Sequence, residues 1–108
     1  AENVLLDERK NIFQIRKNIQ GESNRIGEFL GILKFSAEGA KIFLEKYDEL
    51  MRKNIGEFHE ASTIFKAYIT DMLQELIDSK INIEPVFISG KWCEIDTMQD
   101  LKIAEKIF

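Results

Sequence analysis

The spacing of apolar residues changes period several times along this chain, and each change marks an element. Over residues 11–19 the β-favouring Ile12, Phe13, Ile15 and Ile19 sit among charged and amide side chains, which predicts a strand. Residues 20–24 are polar, contain Gly21 and read as a loop. Phe29, Leu30, Ile32, Leu33 and Phe35 then form a nearly continuous apolar run over 29–35, as expected of a strand covered on both faces. Gly27 and Gly31 weaken such a strand unless another backbone or a ligand comes close.

From Ser36 the period lengthens. Its hydroxyl can accept from the free amides of a first helical turn, and Glu38 suits the positive end of the helix dipole. Ala40, Phe43, Leu44, Tyr47, Leu50 and Met51 follow at i, i+3, i+4, i+7 spacing, an amphipathic helix running to about Asn54. Residues 57–61 have no clear period. A second helix is predicted from about Ser62 or Thr63, with Phe65, Tyr68, Ile69, Met72, Leu73, Leu76 and Ile77 as a broad apolar stripe.

Residues 81–89 are β-branched and apolar, but Pro85 removes an amide donor, which puts that strand at an edge or gives it a bulge. Ser89 and Gly90 turn the chain into another short strand over 91–95. Thr97 followed three residues later by Asp100 is a capping box that opens a last helix, with Leu101, Ala104 and Phe108 inward. The predicted order β-β-α-α-β-β-α makes one α/β layer structure without repeats, linkers or low-complexity segments.

The 108 residues amount to one small domain, and a 44% hydrophobic content can fill a core. The 15 Lys and Arg against 19 Asp and Glu leave a net charge of −4 and no basic stripe, so neither nucleic acid nor an anionic membrane is an expected partner. No apolar run reaches the length of a membrane span, and no basic start followed by an apolar stretch reads as a signal peptide. Cys93 is the single cysteine, which rules out an internal disulfide or a multi-cysteine zinc site and fits the cytoplasm. It reads as a small apolar filler. The lone histidine, His59, is expected in a solvated loop, and Ser36 has no nearby base to make it part of a hydrolase triad.

Chemistry concentrates where the strand over 91–95 meets the last helix. Alternation along that strand puts Trp92, Glu94 and Asp96 on one face and Cys93 and Ile95 on the other. Asp96 falls just before a helix N-terminus, where open α/β sheets place their ligands. Mg²⁺ needs one or two carboxylates there and draws its other ligands from water and phosphate. The competing reading is that Asp96 only supports the Thr97 cap and Glu94 meets a lysine.

The segment GKWCEIDTMQDLKIAE, residues 90–105, resembles the closing signature of the nucleotidyltransferases that join an NTP to a phosphorylated small molecule: an aromatic residue, Glu-Ile-Asp-Thr, an acidic residue with Leu, then Ala-Glu. Two more segments lie in the expected order upstream, GEFLGILKFS at 27–36 and AYITDMLQ at 67–74. The wording is most similar to cytidylyltransferases acting on phosphocholine or 2-aminoethylphosphonate, including those fused to phosphoenolpyruvate mutase. The sugar-1-phosphate branch is a more distant likeness.

The resemblance implies the carboxyl-terminal half of a Rossmann-like nucleotidyltransferase domain, with a mixed sheet and packed helices. It implies that an acceptor phosphate or phosphonate oxygen attacks the α-phosphorus of CTP, or of another NTP such as UTP, and expels pyrophosphate with the help of Mg²⁺. Asp96 then matches the metal-holding acid, and Glu94 its support or a substrate contact. Lys17, within IRKNI at 15–19, matches a phosphate-neutralising lysine. Glu28 and Asp71 match acids facing a substrate amine, and Tyr68 and Trp92 match aromatic faces around its cationic head. Each has a structural alternative: Tyr68 as core, Trp92 as a sheet plug, Glu28 as a solvated strand charge.

Such a family also opens with a Gly-rich phosphate loop, and none occurs in residues 1–108. About 100 or more preceding residues are therefore expected in the intact protein, and the chain taken alone is expected to be inactive. An exposed sheet edge would pair with that other half or with a second copy. Against the transferase reading stands a non-catalytic α/β module that uses the same surface for assembly.

Overall fold

The computed structural model describes residues 2–21, 23–53 and 56–108. Three strands, β1 (Glu2–Leu6), β2 (Ile12–Lys17) and β3 (Ile26–Glu28), form a sheet of order β2-β1-β3. Both pairings are antiparallel, so the sheet is not the mixed one expected. Among the described residues three α-helices follow, α1 (Ala37–Lys53), α2 (Ile69–Asp78) and α3 (Met98–Ile107). Among the described residues no helix is long and apolar enough to cross a membrane.

The β1–β2 hairpin turns on Asp7. Its Oδ1 accepts from the amides of Arg9 and Asn11, both at 2.9 Å, and Lys10 takes the left-handed backbone at φ 65°. The register sets Glu2 against Lys17, Val4 against Ile15 and, past a bulge, Leu6 against Ile12. Directly opposed residues share a face of the sheet. That face therefore runs from apolar at Leu6 to charged at Glu2 and Lys17.

Helix α2 covers it. Leu73 joins Val4, Leu6 and Ile15 in one buried cluster, with Ile77, Ile12, Phe29 and Ile83 packed around them. Beyond ladder and helix bonds, the Gln74 side-chain oxygen accepts from the Ile15 amide at 2.8 Å and so satisfies a donor on the outer edge of β2. On its other side α2 places Met72 against Leu50 of α1, Phe58 and Ile64.

The starts of α1 and α3 follow their sequence signals. Ser36 Oγ accepts from the Gly39 amide at 2.9 Å, and Thr97 Oγ1 accepts from the Asp100 amide at 3.1 Å. The first helix is helical through Lys53, and the predicted end at Asn54 lies outside the described residues. The second begins later than predicted: residues 64–66 form a single 3-10 turn, and α2 starts at Ile69. It ends in a Schellman arrangement, with the Lys80 amide donating to the Ile77 carbonyl (3.0 Å) and the Ile81 amide to that of Leu76 (2.9 Å). Lys80 sits there at φ 68°, a conformation glycine adopts without the Cβ cost. Lys80→Gly is expected to stabilise the protein by about 0.5–1 kcal/mol, read as a higher urea midpoint at unchanged slope.

Three predicted strands are absent. Over 29–35 the ladder stops after the Phe29 amide donates to the Glu2 carbonyl at 2.9 Å, because Gly31 turns the chain at φ 82°. Residues 81–89 and 91–95 carry no ladder either, and Val86 remains 90% exposed. The composition of these runs favours extended chain, but a strand also needs a partner edge, and β3 offers only three residues.

Candidate functional site

At the charged end of the covered sheet face, between Glu2, Lys17 and the start of α2, lies a cavity of about 260 Å³. Phe29, Tyr68, Thr70 and Glu94 complete the part of its wall that carries chemistry. Each reaches it through local structure: Glu2 and Lys17 as opposed residues of β1 and β2, Phe29 as the residue after β3, Tyr68 as the N-cap of α2. The Lys17 ammonium lies 5.5 Å from the Tyr68 ring centroid, within cation–π range. One lysine against two carboxylates leaves the wall with an excess of negative charge.

Lys17, Tyr68 and Glu94, three residues singled out by sequence, thus line one cavity. Tyr68 is exposed, not core. Among the described residues no ion pair engages Glu94. The N1 and N2 residues of α2, Ile69 and Thr70, also belong to this wall, where helix amides lack intrahelical partners and favour anions.

The other singled-out residues stand elsewhere. Asp71 is buried in the first turn of α2, not mid-helix. Its Oδ2 accepts from the Tyr68 amide at 2.9 Å and its Oδ1 from the Glu60 amide at 3.3 Å. Those bonds fix the entry of α2 and so the position of Tyr68. Glu28 is exposed at the end of β3, opposite Asn3. Trp92 keeps 38% of its surface exposed and is not among the cavity residues.

Without a strand over 91–95, the alternation meant to align Trp92, Glu94 and Asp96 does not apply. Glu94 lines the cavity and Asp96 does not. Asp96 is exposed immediately before α3. The cap of that helix is completed by Asp100, whose Oδ2 accepts from the amides of Asp96 and Thr97 at 3.2 Å each. The Asp96 carboxylate is therefore not consumed by the cap. Among the described residues no three His, Cys, Asp or Glu side chains converge as a metal cage. The donor set fits Mg²⁺ only in the form that takes one protein carboxylate and fills its sphere with water and phosphate.

His59 lies in an exposed turn, as expected, and is also partnered there: its Nε2 lies 3.0 Å from Glu75 Oε1, and its ring meets Phe58 edge-on at 4.7 Å. Glu2 was not recognised at all. Its signal was the alternation of Glu2, Val4 and Leu6, which places a carboxylate on an apolar face.

No family model matches the chain, and no solved structure matches it. It is 29% identical over 92 residues, 85% of its length, to a CTP:phosphoglutamine cytidylyltransferase of Campylobacter jejuni subsp. jejuni. The chain spans 35% of that protein's length, so its likeness to a cytidylyltransferase-type nucleotidyltransferase extends over about a third of the relative.

Proposed function

We propose that this chain forms the acceptor-binding part of an enzyme that transfers CMP from CTP to a small, nitrogen-bearing phosphate or phosphonate, with release of pyrophosphate. The convergence of Lys17, Tyr68 and Glu94 on one cavity carries this reading, supported by the likeness to a protein named for CTP and phosphoglutamine. Lys17 and the first amides of α2 bind the acceptor's anionic end. Tyr68 and Glu94 face its nitrogen. An acceptor oxygen held there forms the new bond to the α-phosphorus as the bond to the leaving pyrophosphate breaks. The protein's share is positioning and charge neutralisation.

Asp96 is the residue that would hold Mg²⁺, which supplies charge neutralisation on the nucleotide phosphates.

The test is incubation of the full-length protein with α-labelled CTP and a panel of acceptors. A CMP-linked product with 2-aminoethylphosphonate, phosphoethanolamine or phosphoglutamine is the expected result, and preference for glucose-1-phosphate overturns the acceptor assignment. Asp96→Asn is expected to raise the Mg²⁺ concentration for half-maximal turnover by about tenfold or more, and an unchanged Mg²⁺ titration removes Asp96 from the metal.

A further inference from the structure

Glu2 presents an anomaly that the proposed transferase reading does not use. Among the described residues its Oε2 is the one buried side-chain oxygen without a hydrogen-bond partner. An unsatisfied buried acceptor is rare and unfavourable, and its presence calls for an explanation in what the site binds.

The natural partner is missing by geometry. Lys17 is directly opposite Glu2 in the β1–β2 register and carries the opposite charge, yet no ion pair joins them. The lysine lies over the Tyr68 ring instead, and both side chains line the same cavity. A cation and an unpaired anion are thus held on one sheet face with a small-molecule-sized space beside them. The aromatic wall supplied by Tyr68 and Phe29 would suit any ammonium group, methylated or not. A carboxylate oxygen lacking a donor is more selective, because it needs an N–H or O–H donor, which a quaternary ammonium lacks, and a charged N–H makes the stronger bond.

We propose that Glu2 is a specificity-determining residue, whose Oε2 accepts from an N–H of the acceptor and so selects primary amines or amides over quaternary ammonium groups. This rests on the reading of the cavity as the acceptor site. Lys17 holds the anionic end of the same molecule, and Glu94 adds negative charge near its nitrogen. Glu2 contributes discrimination, not chemistry.

Equilibrium binding to the full-length protein tests it with three probes that share one phosphate: phosphoethanolamine, its trimethylated counterpart phosphocholine, and 2-hydroxyethyl phosphate. The unaltered protein is expected to bind phosphoethanolamine at least about tenfold more tightly than either of the others, the scale of one charge-assisted hydrogen bond. Glu2→Leu should bring phosphoethanolamine and phosphocholine close to equal affinity. Glu2→Gln, which keeps the shape if the leucine variant fails to fold, should weaken phosphoethanolamine and leave phosphocholine much less affected. Equal binding of the two ammonium compounds by the unaltered protein, or a preference that survives both substitutions, overturns the assignment. Lys17→Ala separates the two levels. If it leaves all three affinities unchanged, the acceptor-site reading falls and the Glu2 assignment with it, whereas weakening of all three without any Glu2-dependent preference leaves that reading standing and overturns Glu2 alone. If none of the probes binds, both fall.

Discussion

For the proposed CMP transfer, replacing Lys17 with alanine in the full-length protein is expected to lower kcat/KM for the acceptor by about 10²–10³-fold, the usual cost of deleting one preorganised donor at a developing anion. Lys17 ends β2 on the sheet face that α2 covers, and its ammonium is held 5.5 Å from the Tyr68 ring. A cation–π contact contributes only about 0.5–1 kcal/mol at an exposed site, so it positions the lysine without tying up its charge. Removing that charge leaves an acceptor phosphate with helix amides alone and lets two anions repel as the reacting oxygen nears the nucleotide. The loss belongs in kcat as well as KM, because the lysine must act more strongly on the transition state than on the bound acceptor. Pyrophosphate release at saturating CTP measures it, with the melting temperature as a control for folding. Unchanged kcat/KM would remove the cavity from the chemistry.

The legible parts of this molecule are those governed by short-range physics. Ser36, Thr97 and Asp100 announced helix starts because a cap is decided within three residues. The β2 strand was visible because the β-favouring Ile12, Phe13 and Ile15 sit among charged and amide neighbours. Lys17, Tyr68 and Glu94 could be picked out by resemblance, but their meeting at one cavity depends on α2 crossing the sheet, which no local pattern encodes.

The illegible parts have equally specific causes. The β1–β2 hairpin lacks a glycine at its turn: Lys10 occupies the left-handed position, and Asp7 closes the loop with its side chain. With the turn hidden, β1 went unseen, and Glu2 with it. The opposite error occurred over 29–35 and 81–95, where apolar and β-branched composition promised strands. Gly31 breaks the first run, Pro85 lacks a donor in the second, and no edge in register receives either. Composition sets what a segment tolerates, whereas pairing depends on residues far away in sequence.

The largest expected loss of stability is at Phe58. Phe58→Ala is expected to cost about 3–5 kcal/mol, the range for truncating a fully enclosed aromatic ring. Only 2% of Phe58 is exposed, and it packs with Leu50 of α1, Ile64 and Met72 of α2. Its amide and carbonyl also bond to those of Ala61, both at 2.9 Å, so the backbone around the ring is fixed and cannot readily collapse into the space left behind. The next residue holds the loop from the other side: His59, at φ 53°, lies against Glu75 of α2. A cavity there loosens α1 and the loop from one face of α2 while the sheet grips the other face through Leu73. Urea unfolding should show the midpoint falling steeply. Phe65→Ala provides the comparison, since Phe65 is 74% exposed and its loss should stay within about 0.5 kcal/mol. Comparable effects of the two substitutions would mean that residues 58–67 do not pack on α2 as described, and Tyr68, whose position depends on that packing, would lose its place over Lys17.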